Sequence, residues 1–167
     1  MGYRNKTYVA FDADNDIHYY RLMQAWKQSD NILFNFYDAH DLNNLRADSN
    51  EETIKRKLRD RLSHTKVFVL LVGEQTRYLY KFVKWEIEQA INMNRPIICV
   101  NLNGKRSIDN DRCPPILRDE LALHVSFNAK IIEKALTNWE VLHYEFRNEG
   151  KSCDFYFDVE VYKKLGL

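Results

Sequence analysis

Short β-branched and aromatic runs alternate along the chain with stretches whose apolar residues recur at helical spacing. Thr7 to Phe11 reads as a first strand, followed by a helix carrying Tyr19, Leu22, Met23 and Trp26. Asn35 to Asp38 reads as a short second strand. Ser49-Asn50-Glu51-Glu52 then predicts a capping box, with Ser49 as acceptor, at the start of a helix carrying Ile54, Leu58 and Leu62. Lys66 to Gly73 is the strongest strand, and its unbroken apolar character suits a central position covered on both faces. A helix follows from Phe82 to Asn94, then a fourth strand from Ile97 to Leu102 and, past a polar and turn-rich excursion from Gly104 to Pro115, a fifth from Leu121 to Phe127. From Ala129 a last long helix turns Ile131, Ile132, Ala135, Leu136 and Trp139 inward.

This alternation predicts an α/β fold of flavodoxin-like architecture, a three-layer sandwich around a central, mainly parallel five-stranded sheet. The expected domain spans residues 1–149. The tail, residues 150–167, with Phe155, Tyr156, Phe157 and Tyr162, reads as an extension packed on that domain, either a hairpin or a short helix.

Within the Phe82 helix, Val83, Ile87, Ala90 and Ile91 form the apolar stripe, while Phe82 and Glu86, four residues apart, lie side by side at its edge. An aromatic and a carboxylate are thus placed just past the carboxyl end of a strand, where open α/β sheets bind ligands. The same spacing turns Trp85 away from that edge, toward packing or an oligomer contact.

Composition narrows the chemistry. With 167 residues the chain fits one domain with a sizeable core, and 25 basic against 24 acidic residues leave a net charge of +1, which does not indicate a nucleic-acid footprint. The basic run Lys55-Arg56-Lys57, with Arg59 and Arg61, alternates with apolar residues and reads as a solvated helix face. Three cysteines do not make a disulfide framework, no apolar run approaches membrane-spanning length, and a cytoplasmic location is expected. The five histidines lack metal-ligand spacing, so no metal site is expected. Neither a Gly-rich phosphate loop nor a G-x-S-x-G elbow occurs, and the central strand ends in Val72-Gly73-Glu74-Gln75 without a phosphoacceptor aspartate.

Several segments together carry a resemblance: Val9-Ala10-Phe11, Tyr37-Asp38-Ala39, Leu71-Val72-Gly73-Glu74-Gln75-Thr76, Phe82-Val83-Lys84-Trp85-Glu86-Ile87 and Pro96-Ile97-Ile98. From about Lys6 to Trp139 the chain resembles the TIR-like proteins of bacterial Thoeris anti-phage systems. The specific core of the likeness is the Gly-x-Gln-Thr turn followed by aromatic-Val-basic-aromatic-Glu-Ile.

The resemblance implies an enzyme that takes NAD as substrate, without a cofactor, and makes a cyclic ADP-ribose isomer. This second messenger would reach a separate, NAD-depleting effector by diffusion, after a phage-derived trigger. It also implies that Glu86 is the catalytic residue. Phe82 stands where the TIR pattern commonly has tryptophan, keeping an apolar wall and losing the indole donor. Phe11 and Asp12, with Asp14, fall in the loop that lines the substrate cleft in TIR domains, although aspartates there equally suit the start of the next helix. Asp38 and His40 close the second strand, where contact with a ribose or base competes with plain turn formation. Thr76 matches the Gln-Thr turn and is a candidate for a hydroxyl or phosphate, against the ordinary role of satisfying its own backbone. Two other readings stay open: a catalytically silent TIR-like module that works by assembly, including homo-oligomerisation, and a nucleoside deoxyribosyltransferase-like enzyme with a glutamate nucleophile.

Overall fold

The computed structural model describes residues 7–29 and 50–167. The expected strand Asn35 to Asp38, the candidates Asp38 and His40, and Ser49 lie outside the described residues. Strands β1 (Thr7–Ala10), β2 (Val67–Val72), β3 (Ile97–Asn101), β4 (Ala122–Ser126) and β5 (Asp154–Tyr156) form one sheet in the order β1-β2-β3-β4-β5. Every described pairing is parallel, with Ala10 opposite Leu70, Val72 opposite Asn101, Asn101 opposite Ser126 and His124 opposite Tyr156.

The helices are α1 (Ile17–Gln28), α2 (Glu51–Ser63), α3 (Phe82–Asn92), α4 (Ala129–Asn148) and α5 (Val159–Lys164). Strand alternation sorts the core between two faces. Val9, Val69, Leu71, Ile98, Val100, Leu123 and Val125 point to one face, where Met23 of α1, Trp139 of α4 and Tyr162 of α5 cover them. Tyr8, Ala10, Phe68, Leu70, Val72, Ile97 and Cys99 point to the other, against Leu58 of α2 and Ile87 of α3. The architecture is therefore an α/β three-layer sandwich of flavodoxin-like type. All six residues of β2 are buried, and each such apolar side chain contributes about 1.5–3 kcal/mol relative to exposure.

Three expectations change. The α2 cap is Asn50, whose side chain accepts a hydrogen bond from the Thr53 amide at 2.9 Å; an acceptor directly before Glu51 reaches the orphan N–H groups of the first turn. The connection from β3 to β4 contains only a 3₁₀ turn, Pro115–Leu117, yet it buries Cys113 and Leu117, so it is more than a surface excursion. The tail is not a hairpin. Its β5 adds a parallel edge strand beside β4 and is the fifth described strand, Phe155 stacks on Phe146 at 4.4 Å, and α5 follows with Asp158 as its cap. Cys99, Cys113 and Cys153 are free thiols, the first two buried. None of the described helices is long and apolar enough to cross a membrane.

Candidate functional site

At the carboxyl end of the sheet, the loop after β1 and the segment between β2 and α3 face each other. Asp12 organises the first loop. One carboxylate oxygen accepts from the amides of Asp14 and Asn15 at 3.1 and 3.4 Å, and the other from the Asn15 side-chain amide at 2.6 Å. Such an Asx turn lets α1 start at Ile17, with Asp16 at the cap position but making no side-chain capping bond. Asp16 is turned inward instead, against Gly73. Burial, then the neighbouring charge of Asp12, raise its carboxyl above the usual aspartate value.

On the facing side, β2 is followed by Gly73, whose amide donates to Thr76 Oγ1 at 2.8 Å, and that hydroxyl donates to the Leu71 carbonyl at 3.4 Å. Thr76 is buried and its hydroxyl is committed to the turn. The 3₁₀ turn Thr76–Tyr78 exposes Tyr78 (54%) at its end, and Tyr80 (71%) is exposed before α3 begins at Phe82. α3 has neither a side-chain cap nor an acidic residue in its first turn, so its own N-terminal sequence does not offset the positive end of its dipole.

Between these walls lies a cleft of about 410 Å³, lined by Phe11, Asp12 and Asp14 from one side and Tyr80, Lys81 and Phe82 from the other. Lys81 Nζ lies 5.4 Å over the Phe82 ring and 3.5 Å from Glu51, a carboxylate that Lys55 already holds at 2.7 Å. The structure thus brings Phe11, Asp12 and Phe82 together. Phe11 itself is buried and stacks on Tyr20 with ring centroids 4.7 Å apart, so it backs the cleft more than it opens into it.

Glu86 is placed differently. Its side chain is 1% exposed, within the face of α3 that also buries Val83, Ile87 and Ala90, and it is absent from the cleft lining. About one helical turn, a rise of roughly 6 Å over four residues, separates it from Phe82 along α3. Trp85 points instead to α2, where Lys55 and Arg59 sit 5.8 and 5.5 Å over its ring.

A second cleft, of about 370 Å³ and mostly apolar, opens on the other side of the Tyr80 segment, between α3 and the Pro114-Pro115-Ile116 turn. Sequence patterning missed this cleft, and it missed Asp16 and Lys81. The paired tyrosines flanking Leu79, outside any periodic segment, were the readable signal for an exposed aromatic edge. Among the described residues no three His, Cys, Asp or Glu side chains converge as a metal site.

A family model described as "Thoeris protein ThsB, TIR-like domain" matches residues 8–107, from within β1 to just beyond β3. The matched stretch contains both walls of the first cleft, the Gly73 to Thr76 turn and Glu86, and ends before β4. With more than half of its 167 residues in that match, the chain belongs to the TIR-like domain family of the Thoeris protein ThsB.

Proposed function

We propose that the protein consumes NAD, cleaving its nicotinamide–ribose bond and closing the ADP-ribosyl fragment into a cyclic isomer that activates a separate, NAD-depleting effector in anti-phage defence. The observation that carries this reading is Glu86, a carboxylate 1% exposed in α3, one turn beyond the cleft-lining Phe82. A carboxylate stands here in the helix face that otherwise buries Val83, Ile87 and Ala90, close to a cleft, and that placement supports a chemical role.

The chemistry suits a carboxylate. As the C–N bond breaks, its electron pair leaves with nicotinamide and positive charge builds on the anomeric carbon and ring oxygen, which a nearby anion stabilises. A nucleophilic atom of the same ADP-ribosyl group then closes the ring, losing its proton to solvent or a nearby base. Glu86 also accepts a hydrogen bond from a ribose hydroxyl in this reading. Phe82 lines the cleft one turn before Glu86 on α3, which in this reading makes it the wall of the reacting subsite.

The test is incubation with NAD, with and without lysate of phage-infected cells, followed by chromatography and mass spectrometry. Nicotinamide together with a nucleotide lighter than ADP-ribose by one water is expected. Absence of any ADP-ribose species under both conditions would overturn the reading in favour of a catalytically silent assembly module.

A further inference from the structure

Tyr80 is shared by both clefts, with Leu79 and Val83 forming the rest of their common wall. One side of this ridge is the mixed cleft of Asp12, Asp14 and Phe82, and the other is the apolar cleft of Pro114, Pro115 and Ile116. We infer that a dinucleotide straddles Tyr80, its adenosine half in the apolar cleft beside Ile116 and its reacting ribose half in the cleft beside Phe82. The inference rests on the NAD reading above and adds which end of the substrate each cleft takes.

Three observations carry it. The clefts, about 370 and 410 Å³, are each near the lower bound of small-molecule sites, so each suits one half of a dinucleotide better than the whole. Their chemistry differs in the required sense. A flat purine is satisfied by the apolar walls of Pro115, Ile116 and Ile87, whereas a ribose needs acceptors such as the Asp14 carboxylate on the other side.

The cations also match. Arg77 and Lys84 line the apolar cleft and Lys81, which shares Glu51 with Lys55, lines the mixed one, so each cleft carries a cation for a pyrophosphate that joins the two halves. The acidic member of the apolar cleft, Glu88, stands 3.8 Å from Lys84. Arg77 donates to the Asp111 carbonyl at 2.7 Å and lies 5.4 Å over the Tyr78 ring, which fixes its guanidinium. Tyr80, largely exposed, offers a ring face and a hydroxyl to whatever crosses it.

Binding of the two halves separates this inference from the catalytic reading. AMP and nicotinamide mononucleotide are titrated by calorimetry into the wild-type chain and into Ile116→Trp, which fills the apolar cleft. AMP binding weakened by roughly tenfold or more, with nicotinamide mononucleotide unaffected, is expected. Lys84→Glu, a change at an exposed helical position, should weaken AMP in the same direction and serves if Ile116→Trp does not fold. Equal loss of both halves, AMP binding insensitive to both variants, or no AMP binding to the wild type would overturn the inference. Nicotinamide release by the wild type is scored separately, so the NAD reading can survive that failure, and AMP can bind as described even where no cleavage occurs.

Discussion

Gly73 and Asp16 occupy each other's space: a Cβ placed on Gly73 would lie 2.1 Å from Asp16 Oδ2 and 2.7 Å from its Cγ. This contact ties the end of β2 to the start of α1, and with them the two sides of the first cleft. Gly73→Ala must displace a short, buried carboxyl, so a loss of roughly 1–3 kcal/mol is expected. Asp16→Gly in the same chain should restore much of it. A double-mutant cycle by urea unfolding reads the coupling, and additive losses would show that the two residues do not constrain each other.

Thr76→Val removes the acceptor of the buried Gly73 amide while keeping the side chain's shape. An unsatisfied buried donor costs about 1–3 kcal/mol, and at this chain length each kcal/mol lowers Tm by roughly 2–4 °C. Thr76→Ser should retain most of the stability. If Thr76→Val instead leaves Tm unchanged and raises the KM for NAD, the hydroxyl contacts substrate and its turn role is secondary.

His124 sits inside the sheet, fully buried on β4 between Cys99 and Tyr156 in register, with neither ring nitrogen hydrogen-bonded among the described residues. Burial lowers its pKa from 6.5 to about 4, against the opposing pull of Asp154. Between those values the unfolded chain binds a proton that the folded chain refuses. This contribution to stability is therefore present above pH 6.5 and lost as pH falls toward 4. His124→Leu should flatten the pH dependence of the urea midpoint over that window and raise the midpoint at pH 5. An unchanged slope would mean that other groups carry the acid sensitivity.

Much of the fold was legible because strand and helix periods differ so clearly here. The unbroken apolar run of β2 specifies one packing solution and the structure adopts it, while α3 buries Val83, Ile87 and Ala90 as its stripe predicts but takes in Glu86 where Ile91 was expected. The tail was legible only in part: its short helix is α5, but its strand was not foreseen, for a physical reason. Asp154–Tyr156 is only three residues long, too short for a period to emerge, and its strand character depends on the β4 edge that receives it. The site was partly legible. Asp12 and Phe82 meet across one cleft as their positions at strand and helix ends imply, whereas the fate of Asp16 depends on its contact with Gly73, 57 positions away in the chain and invisible to local patterning.

The central claim is that the buried carboxylate of Glu86 performs the chemistry, and Glu86→Gln isolates it by removing charge while preserving volume and helix propensity. Nicotinamide release from NAD is measured for both proteins under conditions where the wild type is active, alongside Tm. A fall in rate of roughly 10²-fold or more, with Tm unchanged or slightly raised, is expected. A Glu86→Gln protein that releases nicotinamide at close to the wild-type rate would contradict the assignment.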